Sequence, residues 1–157
     1  MRSILIITLL SCFWAVYEAK VFSKCELARK LKTMGMDGYH GQSLASWVCM
    51  AEHESRFNTR AFNGKNDNGS SDYGIFQLNN KWWCKNGYRS SANGCGTTCS
   101  KFLDDDIDDD ITCAKRVVRD PQGIPATWQG MGPDSIWDAG RISSIPAVGF
   151  SLGVVGS

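Results

Sequence analysis

Three stretches of the chain carry a helical period of apolar positions, and one stretch between them does not. "FSKCELARKL" places Ser23 where an N-cap belongs and Glu26 three residues on, which predicts a capping box. Phe22 and Leu27 have the spacing of a hydrophobic staple, and Gly35 supplies a stop. "SLASWVCMAEHES" repeats the design with Ser43 as cap. Leu44, Trp47, Val48 and Ala51 recur at i, i+3, i+4 and i+7, one buried stripe, and Glu54 falls at the end of that helix. "NGKNDNGSSDYG" is then dense in Asn, Gly, Asp and Ser, the composition of tight turns. With "YGIFQLNN" behind it, it predicts a small antiparallel sheet of short strands. Residues 84–101 read as loop. From Asp108 the chain is helical again, with Ile107, Ile111, Ala114 and Val118 on one face. The expected class is α+β: helices, a small sheet, then a helix, without internal repeats.

The two ends have a different texture. Arg2, the mostly apolar run Ile4 to Val16 and the small residue Ala19 make a secretory signal over residues 1–19. That run is short for a membrane span. From Thr127 onward, 31 residues hold six glycines, no cysteine and no clean helical period. The expected organisation is a signal at 1–19, a domain at 20–126 and a divergent tail at 127–157.

Cysteine usage agrees with export. Of seven cysteines, Cys12 lies in the signal, leaving Cys25, Cys49, Cys84, Cys95, Cys99 and Cys113. In a secreted chain these read as a disulfide framework. Six cysteines allow about 15 pairings, and spacing alone does not choose among them. Zinc fits poorly, because no paired C-x-x-C is present and His40 and His53 lie away from the cysteines.

The formal net charge of +1 carries no signature of a nucleic-acid binder. It hides a split. "KFLDDDIDDDI", Lys101 to Ile111, concentrates six aspartates in seven positions. Past residue 19 and outside that run, 16 basic side chains stand against 9 acidic ones, a net +7 that suits a polyanionic surface. The run itself has three readings: a solvated acidic patch, a first helical turn meeting the dipole, or oxygen ligands for a hard cation such as Ca²⁺. It is not an EF-hand. Counting from Asp104, the sixth position is Asp109 rather than glycine and the twelfth is Lys115 rather than glutamate.

Two carboxylates stand in contrasting surroundings. Glu54 ends an amphipathic helix near Trp47 and Phe57 in sequence, the setting of a general acid. Asp72 lies in the polar segment "GSSDYG". Such a pair is what glycoside hydrolysis uses. On spacing alone, a helix-end glutamate and a turn aspartate are equally ordinary structural residues. "KWWC" adds Trp82 and Trp83, of which one can pack inside while the other offers a ring face to a sugar. "NGS" at Asn68 to Ser70 is both an N-glycosylation acceptor pattern and a tight turn.

"KVFSKCELARKLK", "SLASWVCMAEHESRFNT", "NGSSDYGIFQLNNKWWC" and "CAKRVV" resemble the c-type lysozymes, over roughly Lys20 to Ala126. "KFLDDDIDDDI" resembles the calcium loop shared by α-lactalbumin and a calcium-binding branch of those lysozymes. The resemblance implies a lysozyme-like fold, a helical subdomain and a small β subdomain with a cleft between. It implies retaining hydrolysis of the β-1,4 link between N-acetylmuramic acid and N-acetylglucosamine, lysozyme being the type case of the two-carboxylate mechanism. Glu54 matches the general acid and Asp72 the nucleophile or charge stabiliser. Gln77, Asn79, Trp82, Trp83 and Asp120 match positions lining the sugar cleft. It further implies bridges Cys84–Cys99 and Cys95–Cys113. Calcium would be held by the side chains of Asp104, Asp109 and Asp110 and the carbonyls of Lys101 and Asp106. The implied setting is extracellular, the partner bacterial wall polysaccharide, the state monomeric, with no membrane span.

The pattern breaks after Ala126. The family continues with a Trp-x-x-Trp helix and two more cysteines; here Thr127 and a late Trp128 follow, and no cysteine comes after. Cys25 and Cys49 then lack partners, and the tryptophan packed against the catalytic glutamate is missing from its place. Two alternatives follow: an inactive isoform impaired by the altered C-terminus, or a non-enzymatic α-lactalbumin-like modifier of a galactosyltransferase. That second branch does not keep both carboxylates, and this chain has both.

Overall fold

A computed structural model describes residues 19–120. Residues 1–18 of the expected signal, the last six residues of the expected domain and the tail from 127 lie outside the described residues. Helix α1 spans Lys24–Thr33, α2 Leu44–Ser55 and α3 Asp108–Val118. Strands β1 (Phe62–Asn63), β2 (Asp72–Tyr73) and β3 (Leu78–Asn79) form an antiparallel sheet, with Asn63 opposite Asp72 and Asp72 opposite Asn79. The α+β class expected from the residue pattern is the class observed.

The caps work as their sequences require, with one difference. Ser23 Oγ accepts from the Glu26 amide at 3.3 Å and Ser43 Oγ from the Ser46 amide at 3.1 Å. Glu26 does not complete a reciprocal box; its carboxylate instead meets Lys20 Nζ at 3.0 Å. The Lys20 ammonium, in the extended segment before α1, gives the carboxylate a charged partner in place of the backbone donor. Phe22 and Leu27 are both buried, as a staple demands. Gly35, at φ +67°, turns the chain after α1, and the Met36 amide closes back on the Leu31 carbonyl.

The core joins all three helices to the sheet. Trp47 of α2 is fully enclosed and meets Phe76 edge-on, ring centroids 6.3 Å apart. Leu27, Leu31, Ile75, Phe102, Ile111 and Val117 fill the space around them. The stripe on α2 is wider than periodicity indicates: Leu44 and Val48 are half-buried, while Ser46, Cys49 and Met50 are buried. The helix is enclosed on more than one side, so a single stripe underestimates its covered face.

Covalent and ionic ties close the acidic half. Cys84–Cys99 and Cys95–Cys113 are bridged, as the resemblance implied. Their separations of 15 and 18 residues correspond to about 3 kcal/mol of loop-closure stabilisation each. Cys84 of the first bridge lies in a parallel ladder of β4 (Cys84–Lys85) with β5 (Thr97–Thr98), and Cys99 follows β5 directly; the loop composition there did not suggest the ladder. Lys30 of α1 pairs with Asp108, and Lys115 of α3 donates to the Met34 carbonyl, so α1 and α3 are tied at two points.

Cys25 and Cys49 are unbridged, the first exposed and the second 5% exposed. Burial, then the Glu52 charge, pushes the Cys49 thiol up against a smaller opposing pull from Lys24. Thiol titration of the secreted chain is therefore expected to find one fast-reacting group in native buffer, Cys25. A second, Cys49, reacts only in denaturant. Zero thiols in denaturant would mean a bridge that the structure does not contain.

Candidate active site and acidic loop

The chain leaves α2 one residue after Glu54, makes a left-handed turn at Arg56 and Phe57, and enters β1 at Phe62. The connector is pinned from behind. Phe57 accepts from the Phe22 amide and Thr59 donates to the Lys20 carbonyl. The helix end that carries Glu54 and the sheet that carries Asp72 are thus joined by a short segment with fixed hydrogen bonds. Glu54 is half-buried.

Asp72 sits in a cage of asparagine amides. Asn79 Nδ2 donates to Oδ1 at 2.6 Å, and Asn66 Nδ2 to Oδ2 at 2.7 Å, with Asn63 Nδ2 at 3.4 Å from the same oxygen. Ser70 accepts from both Asn66 and Asn79, which ties the donors to each other. Asn79 was expected on the sugar-binding side; it orients the carboxylate directly. Asn63, Asn66 and Ser70 were not singled out, since their segment reads only as turn composition. The signal that could have found them was the density of side-chain amides on both sides of an aspartate.

The expected sugar residues divide. Trp82 is 53% exposed and Trp83 5%, the one-out, one-in arrangement. Lys81 Nζ lies 4.9 Å from the Trp82 ring centroid. Gln77 spends its amide nitrogen on the Ala61 and Gly74 carbonyls, leaving its carbonyl oxygen as the polar atom for a ligand. Asp120, just past the end of α3, has Oδ2 3.6 Å from Arg116 Nη2. Asn68 accepts from the Ser70 amide at 2.9 Å, the tight turn that its pattern allowed.

The aspartate run resolves into three jobs. Asp108, Asp109 and Asp110 form the first turn of α3, where carboxylates meet the positive end of the dipole. Asp105 is a tie: its Oδ1 accepts from the Lys20 amide, Thr59 Oγ1 and Arg60 Nε, and its Oδ2 from Arg60 Nη2. Against a desolvation push upward, the bonds from Arg60 and Thr59 hold its carboxyl below the ordinary range. Asp104 and Asp106 receive the Asp106 and Asp108 amides, and Asp109 receives the Asp110 amide.

Asp110 differs from the rest. It is 1% exposed, and neither carboxylate oxygen has a donor. Burial, then the Asp109 charge, pushes its carboxyl well above the usual range, and burial with the Asp104 charge pushes Asp109 up. Gly74, two residues past Asp72, packs on this carboxylate: a Cβ there would lie 2.4 Å from Asp110 Oδ1 and 2.2 Å from the Phe102 carbonyl. With φ at +76° as well, the position accepts only glycine. Among the described residues, no three acidic, histidine or cysteine side chains converge in ligating geometry.

A small antiparallel sheet thus bears the amide-caged Asp72, and the helix before it ends beside Glu54, within an α+β fold. The model of the C-type lysozyme/alpha-lactalbumin family matches residues 20–135. The milk isozyme of lysozyme C from dog is 77% identical over 107 residues, covering 68% of this chain and 83% of the relative, and that from horse 75% over the same coverage. Among solved structures, apo canine milk lysozyme aligns with a TM-score of 0.67 at 74% identity, over 70% of this chain and 87% of that one. A calcium-binding lysozyme from equine milk aligns at 0.66 and 71% identity, over 70% and 87%. The chain belongs to the C-type lysozyme/alpha-lactalbumin family, and it is an enzyme of the lysozyme kind, a glycoside hydrolase.

Proposed function

We propose that this chain is a secreted lysozyme that cleaves the β-1,4 bond between N-acetylmuramic acid and N-acetylglucosamine in bacterial wall, with retention. The observation that carries the reading is the contrast between its two carboxylates. Asp72 is held by three asparagine amides, whereas Glu54 is half-buried at the end of an amphipathic helix. Glu54 protonates the leaving oxygen; Asp72, with both oxygens oriented as acceptors, meets the positive charge that develops at the anomeric carbon. Water then attacks with Glu54 acting as base. Trp82 offers the exposed ring face for stacking, Trp83 is buried, and Gln77, Asn79 and Asp120 supply polar contacts. The net +7 outside the aspartate run favours an anionic wall. No helix among the described residues is long and apolar enough to cross a membrane.

The acidic loop fits a structural Ca²⁺. Asp110 presents two buried acceptor oxygens that receive no donor, and hard cations take oxygen ligands of this kind. Asp104, Asp109 and Asp110 would hold the ion with the carbonyls of Lys101 and Asp106. When bound, the ion offsets the repulsion among the aspartates at the start of α3. The backbone amides already bonded to Asp104 and Asp109 leave the second oxygen of each for it.

A second reading keeps the fold and loses the activity, and the unbridged Cys25 and Cys49 favour it. Clearing of a bacterial wall suspension, measured with calcium and with a chelator, separates the two. Lysis in calcium is expected. No clearing in either condition would establish the inactive isoform.

A further inference from the structure

A groove of ≈ 500 Å³ runs along α3, outside the residues assigned above to sugar. Asp108, Asp109, Thr112, Arg116 and Arg119 line it from the helix, and Thr97 faces them. The spacing of those helical residues puts them on one face, carboxylates at the amino end and guanidinium groups at the carboxyl end. The charges do not simply cancel. Asp108 is paired with Lys30, and Asp109 accepts a backbone amide within the loop. Arg119 is exposed, its Nε held by the Lys115 carbonyl at 3.1 Å. Arg116 is shared with Asp120 at 3.6 Å, so the groove begins where a sugar-binding carboxylate ends.

We propose that this groove receives the carboxylates of the short peptides that branch from the wall glycan, with Arg119 and Arg116 as the anion-binding pair. The proposal rests on the hydrolase reading of Asp120. An N-acetylglucosamine unit is uncharged and offers two guanidinium groups no ionic partner, whereas a planar carboxylate matches their forked donors. A strand seated against Asp120 carries a peptide on each muramic unit, and the groove lies one helical turn back from that residue. The hydroxyls of Thr97 and Thr112 can accept amide N–H groups from the peptide. Thr112 already donates its own proton to the Asp108 carbonyl at 2.7 Å, which turns its lone pairs outward.

The test compares parent and Arg119→Gln on a soluble wall oligomer with its peptides and on an N-acetylglucosamine oligomer of the same length, which bears no carboxylate. On the peptide-bearing oligomer the variant is expected to raise KM about three- to fivefold, the size of an exposed ionic contact, with kcat unchanged. On the N-acetylglucosamine oligomer it changes neither. The difference shrinks in high salt, and Arg119→Lys keeps part of it. An equal change on both glycans, which is what a helix-end cap alone would produce, overturns the proposal, as does no change on either. If neither glycan is cut, the hydrolase reading fails separately. Titration of the free peptide into parent and Arg119→Gln then decides the groove: weaker binding by the variant supports it, and equal binding overturns it.

Discussion

Glu54→Gln is expected to lower wall-clearing activity by about 10²–10⁴-fold with the fold intact, because the amide keeps the shape and loses the transferable proton. The residue is half-buried on the last turn of α2, where a neutral isostere fits. Thermal unfolding of the variant should match the parent within about 1 kcal/mol. Asp72→Asn is expected to do comparable damage by another route. Its new amide group would face the donors Asn66 or Asn79, both within 2.7 Å of the present oxygens. That site is built for an acceptor on both sides, so one donor must turn away. Full activity of Glu54→Gln would remove the residue from the acid role and the two-carboxylate mechanism with it.

Calcium removal is expected to cost about 4 kcal/mol when the ion had been at a thousand times its dissociation constant. For a domain of this size, that is a drop of about 10–20 °C in Tm. The calcium-free chain should also respond to pH with a definite sign. The Asp110 carboxyl lies well above its ordinary value of 3.8 in the folded state, chiefly from burial, and Asp109 is raised in the same direction. Between 3.8 and those raised values the folded chain holds more protons than the unfolded one. Their contribution is fully present below 3.8 and is lost as pH rises through the folded values. Asp105 runs the other way: its lowered value gives stability that is present above 3.8 and lost below. Above 3.8, the Asp109 and Asp110 contributions therefore make the calcium-free chain less stable as pH rises, and below 3.8 the Asp105 contribution is lost. With calcium bound, the ion favours the charged carboxylates and the trend reverses. Asp110→Asn should abolish the calcium response and flatten much of the pH dependence. Thermal melts followed by circular dichroism, in chelator and in millimolar calcium at mildly acidic and neutral pH, check all of this. Identical melts in chelator and calcium would sink the cation site.

The local signals were legible because they are local. Ser23 and Ser43 cap the helices they precede, since the bond from a cap spans three residues. The turn composition after Asn63 announced a small antiparallel sheet of short strands for the same reason, and the structure shows three of them. The β4–β5 pairing was not legible: two short parallel strands form where the Cys84–Cys99 bridge holds Cys84 beside the start of the acidic loop, and composition carries no trace of that. Glu54 and Asp72 stood out as types. What holds Asp72 did not, because Asn63 and Asn66 satisfy a turn reading completely before any partner is considered.

The aspartate run marks the division most sharply. By itself the sequence determined that six carboxylates are crowded into seven positions, where they repel one another unless solvent or a positive partner offsets the charge. It also determined the helix starts, the sheet and the lysozyme resemblance, each from contacts a few residues long. Only the tertiary structure decided which aspartate does what. Asp105 faces outward to Lys20, Thr59 and Arg60, 85, 46 and 45 residues away along the chain. Asp110, five positions on, is sealed under Gly74 with two oxygens unmet. Their neighbours in sequence are nearly identical. Burial and distant partners set the energy of a carboxylate, and both come into being only when the chain has folded.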